Sequence, residues 1–133
     1  MACKFKSITN SIAQTLNTNS IISLGQVSPC NTGGNTLTIT CSGIYYIDVQ
    51  VIATPTASST ATLAINVNGV PMSSSSISTP ATAVEQIFEV RGIFRLTKGD
   101  VVTIVNSGAA TLTLVAPTPT NSYNVSTIIN KLG

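Results

Sequence analysis

The segment Ile44-Tyr-Tyr-Ile-Asp-Val-Gln-Val-Ile52 alternates between two kinds of side chain. One set is aliphatic or aromatic and consists of Tyr45, Ile47, Val49 and Val51. The side chains between them are Tyr46, Asp48 and Gln50. Because successive side chains of a β-strand point to opposite faces, this period of two predicts a strand with one buried face and one more polar face.

The same strand pattern recurs on the C-terminal side of this segment. Leu63–Val67 alternates and is followed at once by Asn68-Gly69, a pair suited to the tight turn of a hairpin. Glu85–Leu96 alternates over a longer span. One of its faces holds Phe88, Val90, Gly92, Phe94 and Leu96, and the other holds Ile87, Glu89, Arg91, Ile93 and Arg95. Lys98-Gly99-Asp100 then predicts a turn, and Val101–Val105 the strand that returns from it.

Shorter apolar runs complete the set of predicted strands: Ile21–Val27, Thr36–Thr40, Leu112–Leu114 and Tyr123–Leu132. Segments rich in Ser, Thr and Pro predict loops at Thr54–Thr60, Met72–Ala83 and Ala116–Ser122. Helix signals are nearly absent. The sequence therefore predicts an all-β fold, a jelly-roll sandwich of about eight to ten antiparallel strands.

Charge is scarce in this 133-residue chain, since charged residues make up 8% of it and the net charge is +2. A nucleic-acid footprint needs several cations on one face, and anionic membranes attract clusters of Lys and Arg; neither pattern occurs. No window holds the roughly 20 apolar residues of a membrane span. Met1–Lys6 lacks the apolar stretch of a signal peptide, so we expect synthesis in the cytoplasm without a cleaved signal.

The three cysteines, Cys3, Cys30 and Cys41, cannot all pair within one chain. Cys30 and Cys41 flank Asn31–Thr36, and a disulfide between them would close a short loop worth about 2–3 kcal/mol. The alternative is three reduced thiols, which a reducing cytoplasm favours.

Catalytic and metal-binding chemistry lacks the usual side chains. The chain has no histidine, the commonest general base, and its four acidic residues are Asp48, Glu85, Glu89 and Asp100. We expect the Asp48 carboxylate to form a cross-strand salt bridge with Arg91 or Arg95 rather than to act in catalysis. A calcium site needs several oxygen ligands that converge on the ion. The four acidic residues are scattered along the sequence, so the sequence predicts no calcium site. We expect no enzymatic activity, no metal and no cofactor.

Three stretches together resemble the tumour necrosis factor/complement globular-head superfamily of trimeric jelly rolls. They are Thr38-Ile-Thr-Cys-Ser-Gly-Ile-Tyr-Tyr-Ile-Asp-Val-Gln-Val51, Gly92-Ile-Phe-Arg-Leu-Thr-Lys-Gly-Asp-Val-Val-Thr-Ile104 and Ser126-Thr-Ile-Ile-Asn-Lys-Leu-Gly133. Leu63-Ala-Ile-Asn-Val-Asn-Gly69 is similar to the phage and bacterial branch, which includes tip domains of spore-surface collagen-like glycoproteins. No collagen-like Gly-X-Y stalk accompanies these motifs.

The resemblance implies a homotrimer in which side chains of the inner strands form the axial contact. The residues that the resemblance assigns to this contact are Tyr45, Tyr46 and Phe94. The alternative is that these rings fill the core of the protomer itself.

Residues 1–14 are predicted to form an N-terminal anchoring tail, and residues 15–133 the jelly-roll domain. Within residues 7–16, Ile8, Ile12 and Leu16 lie four apart, which suits either a helix face or an extended segment. Phe5, Ile8 and Ile12 are the apolar side chains expected to dock the tail onto a larger particle.

These features together predict a structural protein of a bacteriophage virion: a trimeric capsid decoration protein, head fibre or short spike on the virion surface, with a capsid or other virion protein as its partner. One alternative is a lectin-like module that binds carbohydrate or a receptor, such as host-surface glycans, with Tyr123 as its one aromatic platform in a loop. Another is a spore-coat or bacterial surface protein. Asn124-Val125-Ser126 matches an N-glycosylation acceptor, and its place in a predicted strand favours chance.

Overall fold

The computed structural model describes residues 5–25, 34–116 and 123–133. Every helix or strand in these ranges is a β-strand. The strands are β1 (Phe5–Asn10), β2 (Gln14–Leu16), β3 (Leu37–Thr38), β4 (Gly43–Pro55), β5 (Thr60–Val67), β6 (Val70–Ser78), β7 (Gln86–Leu96), β8 (Val101–Asn106), β9 (Leu112–Leu114) and β10 (Val125–Lys131).

The strands form two antiparallel sheets. The six-stranded sheet has the order β1-β10-β4-β9-β2, and β7 pairs with β4 on the side away from β10. The four-stranded sheet has the order β3-β8-β5-β6. Sequential strands thus alternate between the layers at several points, which is the connectivity of a jelly roll. The predicted all-β jelly-roll fold is confirmed.

The core lies between the two sheets and is built from the alternating faces that the sequence shows. Along β4, every second side chain from Tyr45 to Ala53 is buried, with at most 2% of its surface exposed to solvent. Phe88, Val90, Phe94 and Leu96 of β7 join them, and the Phe94 ring lies against Gly92, where an added Cβ would come within 2.5 Å of Phe94 Cζ. Gly92 therefore provides the space that the Phe94 ring occupies.

The β5–β6 hairpin confirms the turn predicted at Asn68-Gly69. Both residues have positive φ, 51° and 82°, as a type I′ turn requires. The Asn68 side chain also fixes the neighbouring turn, because its Nδ2 donates to Asp100 Oδ1 at 2.9 Å and its Oδ1 accepts from Val101 N–H at 3.0 Å. The Thr97 backbone N–H and Asn68 hold the pKa of Asp100 below its ordinary value.

Two predictions about the connections are wrong. Met72–Ala83 was expected to be a loop, but residues 70–78 form strand β6, because the tight turn at Asn68-Gly69 sets the backbone in register with β5. The strand predicted at Val101–Val105 is confirmed as β8, but the pairing with Glu85–Leu96 that its return from the turn implied is wrong. Strand β8 instead crosses to the other sheet and pairs with β5 and β3, and the turn before it is held by Gly99 and Ile39 backbone bonds.

The N-terminal segment corrects the boundary predicted at residue 14. Residues 5–10 form β1, which pairs with β10 along its whole length, and Ile8 is fully buried in the core. Gln14–Leu16 forms β2 beside β9, with Leu16 2% exposed. Strands β1 and β2 are therefore part of the sandwich, because Ile8 and Leu16 complete its core and the backbone of both strands extends the six-stranded sheet.

Candidate functional site

Two of the three rings assigned to a trimer contact lie inside the protomer. Tyr45 is 2% exposed and donates its hydroxyl to the carbonyl of Cys41, while Phe94 is 7% exposed in the core. Burial, together with the nearby Cys41, raises the pKa of the Tyr45 hydroxyl. Tyr46 alone points to the opposite side of β4. Of the three candidates, only Tyr46 is therefore placed to contact another copy.

The outward side of the six-stranded sheet carries Tyr46 and forms a continuous surface, called here the outer face. Its members are Ile44, Tyr46, Asp48, Gln50 and Ile52 of β4, Ile87, Glu89, Arg91, Ile93 and Arg95 of β7, and Ser126, Ile128 and Asn130 of β10. They lie in rows across the sheet because residues directly opposite in an antiparallel pair share a face.

Apolar side chains occupy both ends of the outer face. Tyr46 lies opposite Ile93 at one end, and Ile52 lies opposite Ile87 at the other. Ile93 and Ile87 are 66% and 69% exposed, the largest fractions among the exposed large hydrophobic side chains of the described residues. Each end of the outer face therefore has an exposed apolar side chain next to a second apolar one, which makes both ends candidates for contact with a partner or ligand.

A polar cluster occupies the centre of the outer face. Asp48 lies opposite Arg91, and Gln50 lies opposite Glu89. The Tyr46 hydroxyl donates to Asp48 Oδ2 at 3.1 Å, and Gln50 Nε2 donates to Glu89 Oε2 at 3.2 Å. The first bond joins adjacent rows along β4, and the second joins β4 to β7 within one row.

The two carboxyl groups of this cluster differ in their electrostatics. Burial raises the pKa of Asp48, Glu89 adds to that rise, and Tyr46 and Arg91 act against it. Hydrogen bonding by Gln50, then by Asp48, holds the pKa of Glu89 below its ordinary value. Asp48 Oδ1 is shielded from solvent and accepts no hydrogen bond from the described residues. A hydrogen-bond donor from a partner, or a proton, would therefore satisfy this shielded oxygen of Asp48.

A second exposed apolar surface follows the edge strand β6. Unlike the strands of the core, β6 has exposed side chains on both of its faces, including Val70 at 57%, Met72 at 55% and Ile77 at 37%. Ser73 Oγ donates to the Arg91 carbonyl at 2.8 Å and links β6 to β7 across the open side of the sandwich. The β6 edge and the outer face are therefore neighbouring surfaces joined through β7.

A cleft of about 100 Å³ opens at the Ile52–Ile87 end of the outer face. Tyr123, 51% exposed, stands on its rim, while Gln50 and Ser126 contribute polar groups. Tyr123 is thus exposed in the loop position expected of a sugar platform.

Asn124 next to this cleft is not accessible for glycosylation. Its side chain is 3% exposed, and its Nδ2 donates to the carbonyls of Ile12 at 2.8 Å and Val115 at 3.1 Å. Attachment of a glycan to this nitrogen would break both bonds. The acceptor motif at residues 124–126 is therefore structural.

The residues proposed for anchoring separate into two groups. Ile8 is fully buried between the sheets, whereas Ile12, just after β1, is 52% exposed. Asn10 Oδ1 accepts from the backbone N–H of Ser11 at 2.9 Å and of Ile12 at 3.3 Å, which fixes the chain where it leaves the sheet. Ile12 is therefore available to a partner and Ile8 is not.

The thiol proposals lie mainly outside the described residues. Cys3 and Cys30 fall there, so the Cys30–Cys41 pairing stays a prediction. Within residues 5–25, 34–116 and 123–133, no group of three His, Cys, Asp or Glu side chains converges as a metal site. The same ranges contain no helix with the length and apolar character of a membrane span.

Sequence reasoning missed two parts of this surface. The β6 edge was assigned to a loop because its serine run resembles a connector. Ile87 and Ile93 were placed on the correct side of β7, opposite Phe88 and Phe94, but were not recognised as a contact surface. The available signal was the recurrence of isoleucine on a face that otherwise carries Glu and Arg.

No protein-family profile and no curated protein sequence matches the chain. Solved structures do match its fold. The globular domain of zebrafish complement 1qA protein aligns with a TM-score of 0.69 and 11% identity, covering 98% of each chain. Murine APRIL, solved at pH 5.0, aligns with a TM-score of 0.61 and 18% identity, covering 89% of this chain and 97% of that one. The chain therefore has a tumour necrosis factor/C1q-like jelly-roll fold.

Proposed function

We propose that this protein is a non-enzymatic, self-associating structural module that forms a homotrimer. The observation that carries the proposal is the Tyr46–Ile93 end of the outer face, where a 66%-exposed isoleucine lies opposite an aromatic ring on a flat strand pair. Burying such side chains against a second copy contributes roughly 25 cal/mol per Å² of apolar surface. Trimers are typical of this fold.

The arrangement of the two exposed surfaces supports a closed ring. The outer face and the β6 edge lie at different places on the protomer, so a contact between one and the other is head-to-tail. A head-to-tail contact forms a closed ring if its rotation closes. Three copies per ring is the number typical of this fold. The Tyr46–Asp48 hydrogen-bonded pair, next to Ile93, would fix the register of such a contact.

A passive role on a bacteriophage virion suits this module best. Its low charge and the run of four exposed or half-exposed serines within β6 give part of the surface a neutral polar character. Ile12, exposed where the chain leaves β1, is the side chain placed to contact a capsid or other virion protein. In this role the trimer decorates the shell, as a decoration protein, head fibre or short spike, and stabilises it by bridging neighbouring subunits.

The virion role is tested by determining whether the protein is located on virus particles. Antiserum against the purified chain is used on virus particles, spores and cell envelopes, separated by density from cultures of the source. We expect the signal to band with virus particles. A signal confined to spores or envelopes would overturn the virion role in favour of a spore-coat or bacterial surface protein, and would leave self-association to be judged separately.

A further inference from the structure

We propose that the cleft at the Ile52–Ile87 end of the outer face is a binding subsite for one ring of a neutral saccharide. The inference concerns ligand binding and does not depend on self-association. Tyr46 and Ile93, which carry the proposed contact between copies, lie at the other end of the same face. Ile52 lies six residues after Tyr46 on the same strand, a distance of about 20 Å at 3.3 Å per residue.

The floor and wall of the cleft are apolar. Ile52 and Ile87 lie directly opposite each other on β4 and β7. Tyr123 stands beside them with half of its surface exposed, held at the start of β10 by the bond from Ile52 N–H to the Asn124 carbonyl at 2.9 Å. An aromatic ring with a polar tip, next to an aliphatic floor, suits a ligand with one apolar face.

The opposite rim of the cleft is polar and carries both donors and acceptors. Ser126 and Gln50 line this rim, and Glu89 lies next to Gln50 in the same row, outside the lining of the cleft. Gln50 is oriented by its bond to Glu89 Oε2, and a primary amide carries a second N–H and a carbonyl oxygen in addition. The serine hydroxyl can donate or accept, and the carboxylate accepts. This set matches adjacent hydroxyl groups, each of which is both donor and acceptor.

The volume and charge of the cleft narrow the class of ligand. A cleft of about 100 Å³ is large enough for part of one six-membered ring. The carboxylate of Glu89, bonded to Gln50 beside the cleft, disfavours anionic sugars through like-charge repulsion. A pyranose with C–H groups on one face and hydroxyls at its edge fits both the Tyr123 side and the polar row.

The experiment is a titration of the uniformly ¹⁵N-labelled full chain, followed by amide NMR. Glucose, galactose, mannose and N-acetylglucosamine are each added up to high millimolar concentration. We expect at least one of them to shift, in a saturable way, the amide signals of Gln50, Tyr123 and Ser126 and the side-chain amide of Gln50. Shifts by none of the four, or shifts centred elsewhere, would overturn the proposal.

Variants test whether the cleft itself binds. Tyr123→Ala should weaken the best sugar by about tenfold through loss of ring contact, while Tyr123→Phe should keep binding within about twofold. Met72→Ala, at an equally exposed apolar position on β6, should leave the affinity unchanged. Unchanged affinity in Tyr123→Ala would overturn the subsite.

Light scattering on the same samples separates the two proposals. Tyr123→Ala should retain the mass of the wild-type protein. A fall in mass would show that the cleft is filled by another copy, which overturns the saccharide subsite but supports self-association. A wild-type protein that is monomeric and still binds the sugar through Tyr123 would overturn self-association alone.

Discussion

At the residue scale, Asn106 does more to hold the sandwich together than its place at the end of a strand indicates. Its side chain is fully buried, and its Nδ2 donates to the carbonyls of Leu16 at 2.8 Å and Ala110 at 2.9 Å. Its Oδ1 accepts from the Gly108 N–H at 3.2 Å. One amide thus joins β2, the end of β8 and the turn that leads to β9.

Replacing this amide should destabilise the protein severely. Asn106→Ala leaves two buried carbonyls and one N–H without their partner, so we expect a loss of about 2–4 kcal/mol in the free energy of unfolding. Chemical denaturation followed by circular dichroism measures it. Asn17→Ala, at an exposed position, is the control and should change stability by less than about 0.5 kcal/mol. Equal effects of the two variants would contradict this role.

Asp48 should make the stability of the protein depend on pH. Because its pKa is raised in the folded state, its contribution to stability is fully present below the unfolded pKa and is lost as pH rises through the folded pKa. Asp48→Asn removes the desolvated charge and should raise the midpoint of thermal unfolding at neutral pH by a few degrees. The gain should shrink as pH falls toward about 4.

Glu89 provides the control of opposite sign. Its lowered pKa contributes stability above the unfolded value, and this is lost as pH falls through the folded value. Glu89→Gln should therefore lower the midpoint at neutral pH or leave it unchanged. Thermal unfolding across the acid range checks both variants, and a lower midpoint for Asp48→Asn at neutral pH would contradict the interpretation.

The roles of individual residues were the hardest part to read from the sequence. Alternation placed Tyr45 and Tyr46 on opposite faces, but a pattern of period two does not say which face a second chain would cover. The importance of Asn106 depends on carbonyls of Leu16 and Ala110, which only the folded chain brings together. Nothing local in the sequence distinguishes it from the many exposed asparagines.

At the element scale, strand β1 shows how a segment can look like a tail and still belong to the core. Its residues Phe5–Asn10 are mostly polar, so the sequence there has few of the usual strand signals. Pairing with β10 supplies the order that the local sequence does not specify, with Ser7 opposite Ile128 and Ile8 opposite Thr127. Pairing with β10 therefore determines the strand conformation of β1 more than the weak strand propensity of its own sequence does.

The contrast between Ile8 and Ile12 tests this assignment. Ile8→Ala should destabilise the fold by about 2–5 kcal/mol, since it removes a fully buried aliphatic side chain. Ile12→Ala, at a 52%-exposed position, should change stability by less than about 0.5 kcal/mol. Denaturant titration of the two variants measures the difference. If both variants proved equally stable, residues 5–10 would not be part of the sandwich.

The strands with clean alternation were predicted well, and the connections between them were not. β4, β5 and β7 follow from the period of two, and the β5–β6 turn follows from the left-handed preference of Asn-Gly. The crossing of β8 to the other sheet depends on its pairing with Leu37–Thr38 and with β5, which are distant in sequence. The turn residues 98–100 do not indicate this pairing. Turn chemistry marks where the chain bends but not which sheet it enters.

At the scale of the whole molecule, the two sheets enclose one core and leave two apolar surfaces exposed. The composition is 43% hydrophobic and only 8% charged, and exposed Ile93 and Met72 are not required by the fold of the protomer itself. Their presence on the outer face and the β6 edge is the feature that self-association explains. The fold class was predictable because it depends on the alternation of apolar and polar residues and on the order of the strands. The assembly depends on which exposed surface contacts another copy, and the alternation does not distinguish one surface from another.

The most direct test of this account is the mass of the purified full-length chain by light scattering, compared with that of Ile93→Asp. We expect the wild-type protein to have the mass of three chains. The variant places a charge at a 66%-exposed position, so it should keep its β-sheet circular dichroism spectrum and fall to the mass of one chain. A wild-type protein with the mass of one chain, or a variant that stays trimeric, would contradict the claim that the outer face joins copies of this protein.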